Sequence, residues 1–244
     1  MQPIMSPFTT LVYRIVAGCE VTHEQLKECA TLFSQNYGVW SVAAPSPLKP
    51  GARIKMSARS LKEQCLSDPT ASVLALCVAD GILIGHAFAS LWSLHGETIC
   101  WVTQLVVSSK HRQRGIATSL LSMLPECHVY GLASSHPAAC LALCKRGRAN
   151  IRKLDLVYIK EHAQGMLAST PIPYLKTAKV CGALFRDEDA TAGLCTVCTS
   201  FFVDHDEPLA VLHAWQEYHD MPWVLGDLPE GNEYLCIIKN HASR

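Results

Sequence analysis

The stretch QLVVSSKHRQRGIATSLL, residues Gln104 to Leu121, carries the strongest structural signal in the chain. Its first residues are apolar and β-branched, as in a strand, and its last residues are typical of a helix. The segment between them is polar and basic and ends at Gly115. We therefore predict a strand, a glycine-containing loop and a helix that begins near Ala117.

A junction of this kind is suited to bind anions. The first amides of a helix have no partner within the helix, and the helix dipole places about half a positive charge there. Gly115 lets the backbone approach a ligand closely, while Arg112 and Arg114 add positively charged, forked donors. The residues thus predict a site for a phosphate-bearing cofactor. A Walker loop and a dinucleotide glycine pattern are both missing from the sequence, which excludes those two classes.

Three residues of this loop match the sequence motif of a known protein family. Arg112, Gly115 and Ala117 match the RxxGxA acetyl-CoA signature, and the chain resembles the GNAT superfamily of N-acetyltransferases. The resemblance implies an α/β (α+β) fold with a mixed, mostly antiparallel central sheet flanked by helices. It also implies that acetyl-CoA is the co-substrate and that its acetyl group passes directly to an amine. The residues that it assigns to the cofactor are Leu105, Val106, Val107, Arg112, Gln113, Arg114, Gly115, Ile116, Ala117 and Thr118.

Local signals elsewhere in the chain agree with this order of elements. Thr22 and Gln25 form a capping-box pattern before a helix that should end at Gly38. The Asp80-Gly81 pair predicts a tight hairpin between two strands.

We expect one domain over residues 1–244. Residues 8–150 would form the core, and a C-terminal elaboration over 151–244 would supply late strands and line the acceptor site. The late strands are predicted at Thr196 to Val203 and at Glu233 to Lys239.

Candidate catalytic residues follow from the need to deprotonate the amine. Many GNAT relatives place a Glu near the position that Gln104 holds here, and glutamine cannot act as a base at neutral pH. His136, at the end of the predicted fifth strand, and His205, in the VDHDEP segment, carry side chains that titrate near neutral pH. Either could equally be a packed or capping histidine. Gln104, His136 and His205 are therefore the three candidates.

The group that reprotonates the departing thiolate is also open. Relatives often use a Tyr on the helix after the fifth strand, and residues 137–147 contain none. The possible substitutes are Ser134, Ser135, Cys140 and Tyr158. Without the usual Glu and Tyr, a second interpretation stays open, namely a GNAT-like module that binds acyl-CoA without turning it over.

The acceptor amine is expected to be a small molecule. An acetyltransferase that acts on a protein lysine or N-terminus is the alternative, and a longer acyl group is also compatible with the loop. Lys plus Arg and Asp plus Glu number 21 each, so the chain lacks the positive surplus that attracts nucleic acid. We expect no nucleic-acid partner and a monomer or homodimer.

Membrane insertion and secretion are not expected. The most apolar stretch, Ala71 to Trp92, is interrupted by Asp80-Gly81 and His86. The twelve cysteines are scattered through apolar segments, which is typical of reduced, buried thiols in a cytoplasmic protein. Cys195 and Cys198 form a CxxC without a second pair, so no metal site is predicted.

Overall fold

The computed structural model describes residues 10–186 and 193–240. Its strands are β1 (Leu11–Ala17), β2 (Ser72–Ala79), β3 (Ile82–Leu94), β4 (Glu97–Val107), β5 (Val129–Ser134), β6 (Lys179–Cys181), β7 (Thr196–Cys198) and β8 (Asn232–Lys239). They form one sheet in the order β1-β2-β3-β4-β5-β8-β7-β6. The strand β8, formed by residues late in the sequence, thus lies between β5 and β7.

Helices flank this sheet. They are α1 (His23–Asn36), α2 (Ala58–Cys65), α3 (Ile116–Ser122), α4 (Pro137–Arg146), α5 (Leu156–Ser169), α6 (Pro173–Lys176) and α7 (Asp206–His219). The predicted capping box starts α1: Gln25 N donates to Thr22 Oγ1 over 3.2 Å, and Thr22 N donates to Gln25 Oε1 over 2.9 Å. Within the described ranges, no helix combines the length and apolarity needed to span a membrane.

The pairing pattern confirms the predicted mixed, mostly antiparallel sheet. Among the described strands, β4 and β5 are the parallel pair, and every other neighbouring pair is antiparallel. The Asp80-Gly81 turn joins β2 to β3 as expected, with both residues at positive φ.

The parallel pair separates partway along its length. Pairing runs from Ile99 with Val129 to Val102 with Leu132 and then stops. Strand β4 nevertheless continues to Val107, paired with β3 on its other side. A gap therefore opens between β4 and β5 towards their C-terminal ends.

A β-bulge in β4 lies where this gap begins. Phe88 pairs with Gln104 whereas its neighbour Ala89 pairs with Val102, so Thr103 is the extra residue on β4. A bulge bends its strand and increases the local twist. The bend at Thr103 is consistent with the departure of β4 from β5.

The C-terminal part of the chain differs in detail from the prediction. The strand expected at Thr196 to Val203 is wrong in length, because β7 ends at Cys198 and Ser200 adopts a positive φ of 57°. A residue in the left-handed region cannot continue a strand. The prediction for β8 was one residue short, and its residues from Tyr234 to Ile238 are all buried in the main hydrophobic core.

Candidate active site

The gap between β4 and β5 contains a cavity of about 180 Å³. Residues 102–105 of β4 line one side of it and residues 132–134 of β5 line the other. The remaining walls come from α1, α2 and the C-terminal part of the chain. They include the aromatic residues Phe33, Tyr37, Tyr174 and Phe201 and the polar residues Thr199 and Glu233.

Gln104 lies in the cavity wall, and its amide is held in place. Its Oε1 accepts a hydrogen bond of 2.7 Å from His86 Nε2, and its Nε2 lies 3.5 Å from Met56 Sδ. Burial lowers the pKa of His86 to about 4, so the imidazole stays neutral and acts as the donor. Gln104 is thus a fixed polar group that cannot take up a proton.

His136 lies at the mouth of the gap, outside the cavity lining. Its Nδ1 accepts from Ala138 N over 3.1 Å, which caps α4, and its Nε2 lies 3.3 Å from Glu207 Oε1. Glu207 belongs to the first turn of α7, and its Oε1 also lies 2.7 Å from Arg112 Nη1. The carboxylate therefore bridges the loop after β4 and the start of α4.

His205 lies immediately before α7 and does not line the cavity. It is buried, its Nε2 has no hydrogen-bond partner among the described residues, and burial lowers its pKa. Of the three predicted catalytic candidates, the structure places only Gln104 in the cavity.

Glu233 is the cavity residue that the sequence analysis missed. It lies in β8, adjacent to the end of β5, where Ser134 pairs with its neighbour Tyr234. Its side chain is 6% exposed, and burial raises its pKa to about 7, against a smaller opposite effect of the Thr199 hydroxyl. The sequence feature that could have identified Glu233 is that it is the single acidic residue of a predicted strand with an apolar centre.

Two phenols, also missed from the sequence, share the cavity with Glu233. Burial raises the pKa of both Tyr37 and Tyr174, and the negative charge of Glu233 acts in the same direction. Tyr158, one of the predicted proton donors, lies elsewhere: its hydroxyl donates to Glu97 Oε2 over 3.2 Å, at the start of β4. Of the other substitutes, Ser134 lines the cavity.

The loop after β4 has the expected form. Gly115 has a φ of +77° and is the N-cap of α3, with no side chain capping the helix. The first intrahelical hydrogen bond is donated by Ser119 to Gly115 O over 3.0 Å. The amides of Ile116, Ala117 and Thr118 precede that bond and are the ones that an anion could reach.

The two arginines of the loop differ in their surroundings. Arg112 is anchored on three sides, by Glu207, by the Asn36 carbonyl at 2.7 Å and by the Val107 carbonyl at 3.4 Å. Arg114 is exposed and makes no ion pair with any described residue. Arg114 and the likewise exposed Lys110 are therefore the positive side chains of this loop without an ion pair among the described residues.

Nine of the twelve cysteines are buried, and these nine are free thiols. Within residues 10–186 and 193–240, no group of three or more His, Cys, Asp or Glu side chains is arranged to hold a metal ion. Cys195 Sγ instead lies 3.2 Å from the Leu235 carbonyl, inside the core.

Residues 39–127 match the model of the acetyltransferase (GNAT) family. The matched segment includes β4, the loop and α3. No curated protein sequence matches the chain.

Solved structures of similar fold include three acetyltransferases. An aminoglycoside acetyltransferase from an uncultured soil metagenomic sample is 12% identical, with a TM-score of 0.31 over 46% of this chain and 65% of that chain. A putative acetyltransferase from Salmonella typhimurium, solved with its cofactor acetyl-CoA, is 16% identical, with a TM-score of 0.39 over 55% of this chain and 76% of that chain.

A third similar structure is a GNAT-family acetyltransferase from Streptococcus pneumoniae. It is 14% identical, with a TM-score of 0.38 over 57% of this chain and 84% of that chain. The first of the three is matched over slightly less than two thirds of its own length.

Proposed function

We propose that this chain is an N-acetyltransferase that moves an acetyl group from acetyl-CoA to a compact amine. The observation that carries the proposal is the opening of β4 from β5 after Val102 and Leu132, with a cavity in the gap and the glycine loop at its mouth. Acetyl-CoA supplies an activated acyl group, and the protein supplies positioning and electrostatics. The nine buried free thiols support a cytoplasmic enzyme.

The backbone of β4 suits the pantetheine arm. Leu105, Val106 and Val107 pair with β3 on one side, while β5 has already diverged on the other. In a strand, successive amide and carbonyl groups point alternately to the two sides, so some backbone groups in this segment face the gap. An amide of Leu105 or Val106 would also stabilise the negative charge that develops on the thioester oxygen.

The loop suits the pyrophosphate. The uncapped amides of Ile116, Ala117 and Thr118, the positive φ of Gly115 and the exposed Arg114 all favour an anion there. An added Cβ at Gly115 would meet no atom within 4 Å, so the space over this turn is open.

The cavity favours a small acceptor. A volume of about 180 Å³ is compatible with a compact amine. Tyr174, Phe201 and Glu233 come from the C-terminal part of the chain, so residues beyond 150 contribute to the acceptor side.

Transferase activity can be tested with the full chain, acetyl-CoA and a panel of compact primary amines. Thiol release should require an amine and exceed hydrolysis, with the acetylated product identified by mass spectrometry. Binding of CoA without amine-dependent release would contradict the proposed activity and indicate a binding module.

The cofactor loop can be tested with two matched glycine variants. Gly115→Glu places a carboxylate beside the pyrophosphate, and we expect CoA affinity measured by calorimetry to fall at least about tenfold. Gly96→Glu is the control, because Gly96 also has a positive φ, of 84°, and open space around it, but lies in the β3–β4 turn at the other end of β4. Equal CoA affinity of the two variants would contradict the placement of the pyrophosphate.

A further inference from the structure

We propose that Glu233 is the general base of the reaction and that the acceptor amine enters the cavity as its protonated ammonium form. The inference rests on the proposed N-acetyltransferase function and adds the catalytic residue and the charge of the substrate. It assigns to β8 the role that Gln104, fixed by His86, cannot perform.

The position of Glu233 supports this role. Its side chain lines the same cavity as Gln104 and Leu105, but from the opposite side of the gap. An amine between the two strands would thus have the acyl carbon on the β4 side and a carboxylate on the β8 side. A base must lie within reach of the proton that it removes, and this arrangement provides it.

The surroundings leave the Glu233 carboxylate without a compensating charge. None of the described Lys, Arg or His side chains forms an ion pair with it, although it is only 6% exposed. A buried, unpaired carboxylate is costly, and such groups concentrate at functional sites. An ammonium ligand would supply the missing positive charge.

The titratable groups that face Glu233 stay neutral. They are Tyr37 from α1 and Tyr174 from α6, and burial raises the pKa of both phenols. Cys65 of α2, which interacts with Tyr174, is buried as well, and burial raises its pKa to about 12. With a pKa of about 7, Glu233 is the one described cavity side chain that changes its protonation state near neutral pH.

The aromatic walls fit the same substrate. Phe33, Tyr37, Tyr174 and Phe201 line the same cavity as Glu233. Ring faces attract cations, and a carboxylate repels anions, so a compact primary ammonium compound is favoured over an amino acid or another anionic amine.

The ammonium gives one proton to the Glu233 carboxylate, and the freed nitrogen lone pair forms the C–N bond to the thioester carbon. The C–S bond breaks with its electron pair going to sulfur. A second proton from the nitrogen neutralises the thiolate, directly or through the hydroxyl of Tyr37 or Tyr174. Glu233 then returns its proton to solvent.

The test compares kcat/KM as a function of pH for the wild type, Glu233→Gln and the control Glu161→Gln, an exposed position in α5. Glu233→Gln should lower kcat/KM about 10²- to 10⁴-fold at pH 7.5 and shift the remaining activity to high pH, where free amine is abundant. Glu161→Gln should match the wild type. A Glu233→Gln enzyme with wild-type rate and pH profile would overturn the proposal.

A second measurement needs only the wild type. Two amines of clearly different pKa are compared, and the acidic limb of kcat/KM should lie near pH 7 for both if Glu233 removes the proton. A limb that follows the pKa of the amine would overturn the proposal, because it would mean that free amine reacts without a base.

Calorimetry with CoA separates this proposal from the function on which it rests. Glu233→Gln should bind CoA as the wild type does, because Glu233 lies on the acceptor side. The proposed function would be overturned if the wild-type protein neither bound CoA nor released CoA from acetyl-CoA with any amine. Normal wild-type turnover with an unaffected Glu233→Gln variant would overturn the role of Glu233 alone.

Discussion

The Glu207 carboxylate of α7 lies 2.7 Å from the guanidinium of Arg112, the first residue of the predicted acetyl-CoA motif. A hydrogen bond from His136, together with the charges of His136 and Arg112, lowers the pKa of Glu207 to about 2 despite partial burial. Glu207 therefore carries a negative charge throughout the neutral range. An anion that uses Arg112 has to displace or share this carboxylate.

The first prediction concerns this contact. Glu207→Gln removes a negative charge from the mouth of the gap and frees Arg112, so CoA should bind about three- to tenfold more tightly. Calorimetry at low and moderate salt measures the change, which should shrink as salt screens the charges. Glu217→Gln, at an exposed position further along α7, should leave the affinity unchanged. Weaker CoA binding by Glu207→Gln would mean that Glu207 positions Arg112 for the cofactor.

The second prediction links Glu233 to the pH dependence of stability. In the folded state the pKa of Glu233 is raised from 4.5 to about 7. The free energy of unfolding of the wild type therefore falls as the pH rises from about 4.5 to 7. Above pH 7 it stays lowered by the full cost of the buried carboxylate. Glu233→Gln removes a cost on the order of 3 kcal/mol at pH 8. The variant should therefore unfold at higher denaturant concentration than the wild type at pH 8, and the difference should vanish near pH 4. An equal difference at both pH values would contradict the raised pKa.

The third prediction concerns the buried pair of His86 and Gln104. Gln104→Glu replaces a neutral acceptor by a carboxylate 2.7 Å from the imidazole, which favours the protonated ring. The pKa of His86 is about 4 in the wild type. In Gln104→Glu it should rise by about one pH unit or more, which corresponds to about 1.4 kcal/mol and can be measured by NMR titration. Gln104→Met is the comparison: it leaves the His86 donor unpaired and should cost about 1–3 kcal/mol of stability. No change in the titration of His86 in Gln104→Glu would contradict the contact.

The fourth prediction concerns Trp101 and Gly131, which are paired one residue before the gap begins. Trp101 packs across Gly131 of the neighbouring strand, and a Cβ at Gly131 would lie 2.3 Å from Trp101 Cε3. Gly131→Ala should therefore destabilise the protein by about 1–3 kcal/mol, measured by denaturant unfolding. Gly165→Ala is the control, because Gly165 lies in α5 with open space around it, and it should stabilise by about 0.5–1 kcal/mol. A neutral Gly131→Ala would show that Trp101 can move aside at little cost.

Features encoded by neighbouring residues could be predicted from the sequence. The capping box of Thr22 and Gln25, the Asp80-Gly81 hairpin and the turn at Gly115 each depend on residues a few positions apart, and the structure contains all three. The mixed, mostly antiparallel sheet could be predicted from one loop with its flanking strand and helix, because that junction resembles the GNAT motif.

Features that depend on long-range packing could not be predicted. The role of Glu233 depends on β8 lying beside β5, and no local pattern specifies which strands are neighbours. The contact of Glu207 with Arg112 joins residues 95 positions apart, on different elements. His136 and His205 attracted attention by residue type alone, and their positions outside the cavity depend on where α4 and α7 begin.

The insertion of β8 between β5 and β7 also affects the order in which the protein is assembled. During synthesis, β5 leaves the ribosome long before residues 232–239, so this edge of β5 stays unpaired until β8 is made. Closing such a distant strand pair is slow, and an open edge can meanwhile pair with other chains. Nascent chains that stall before β8 should therefore be aggregation-prone and should lack the carboxylate that completes the acceptor pocket.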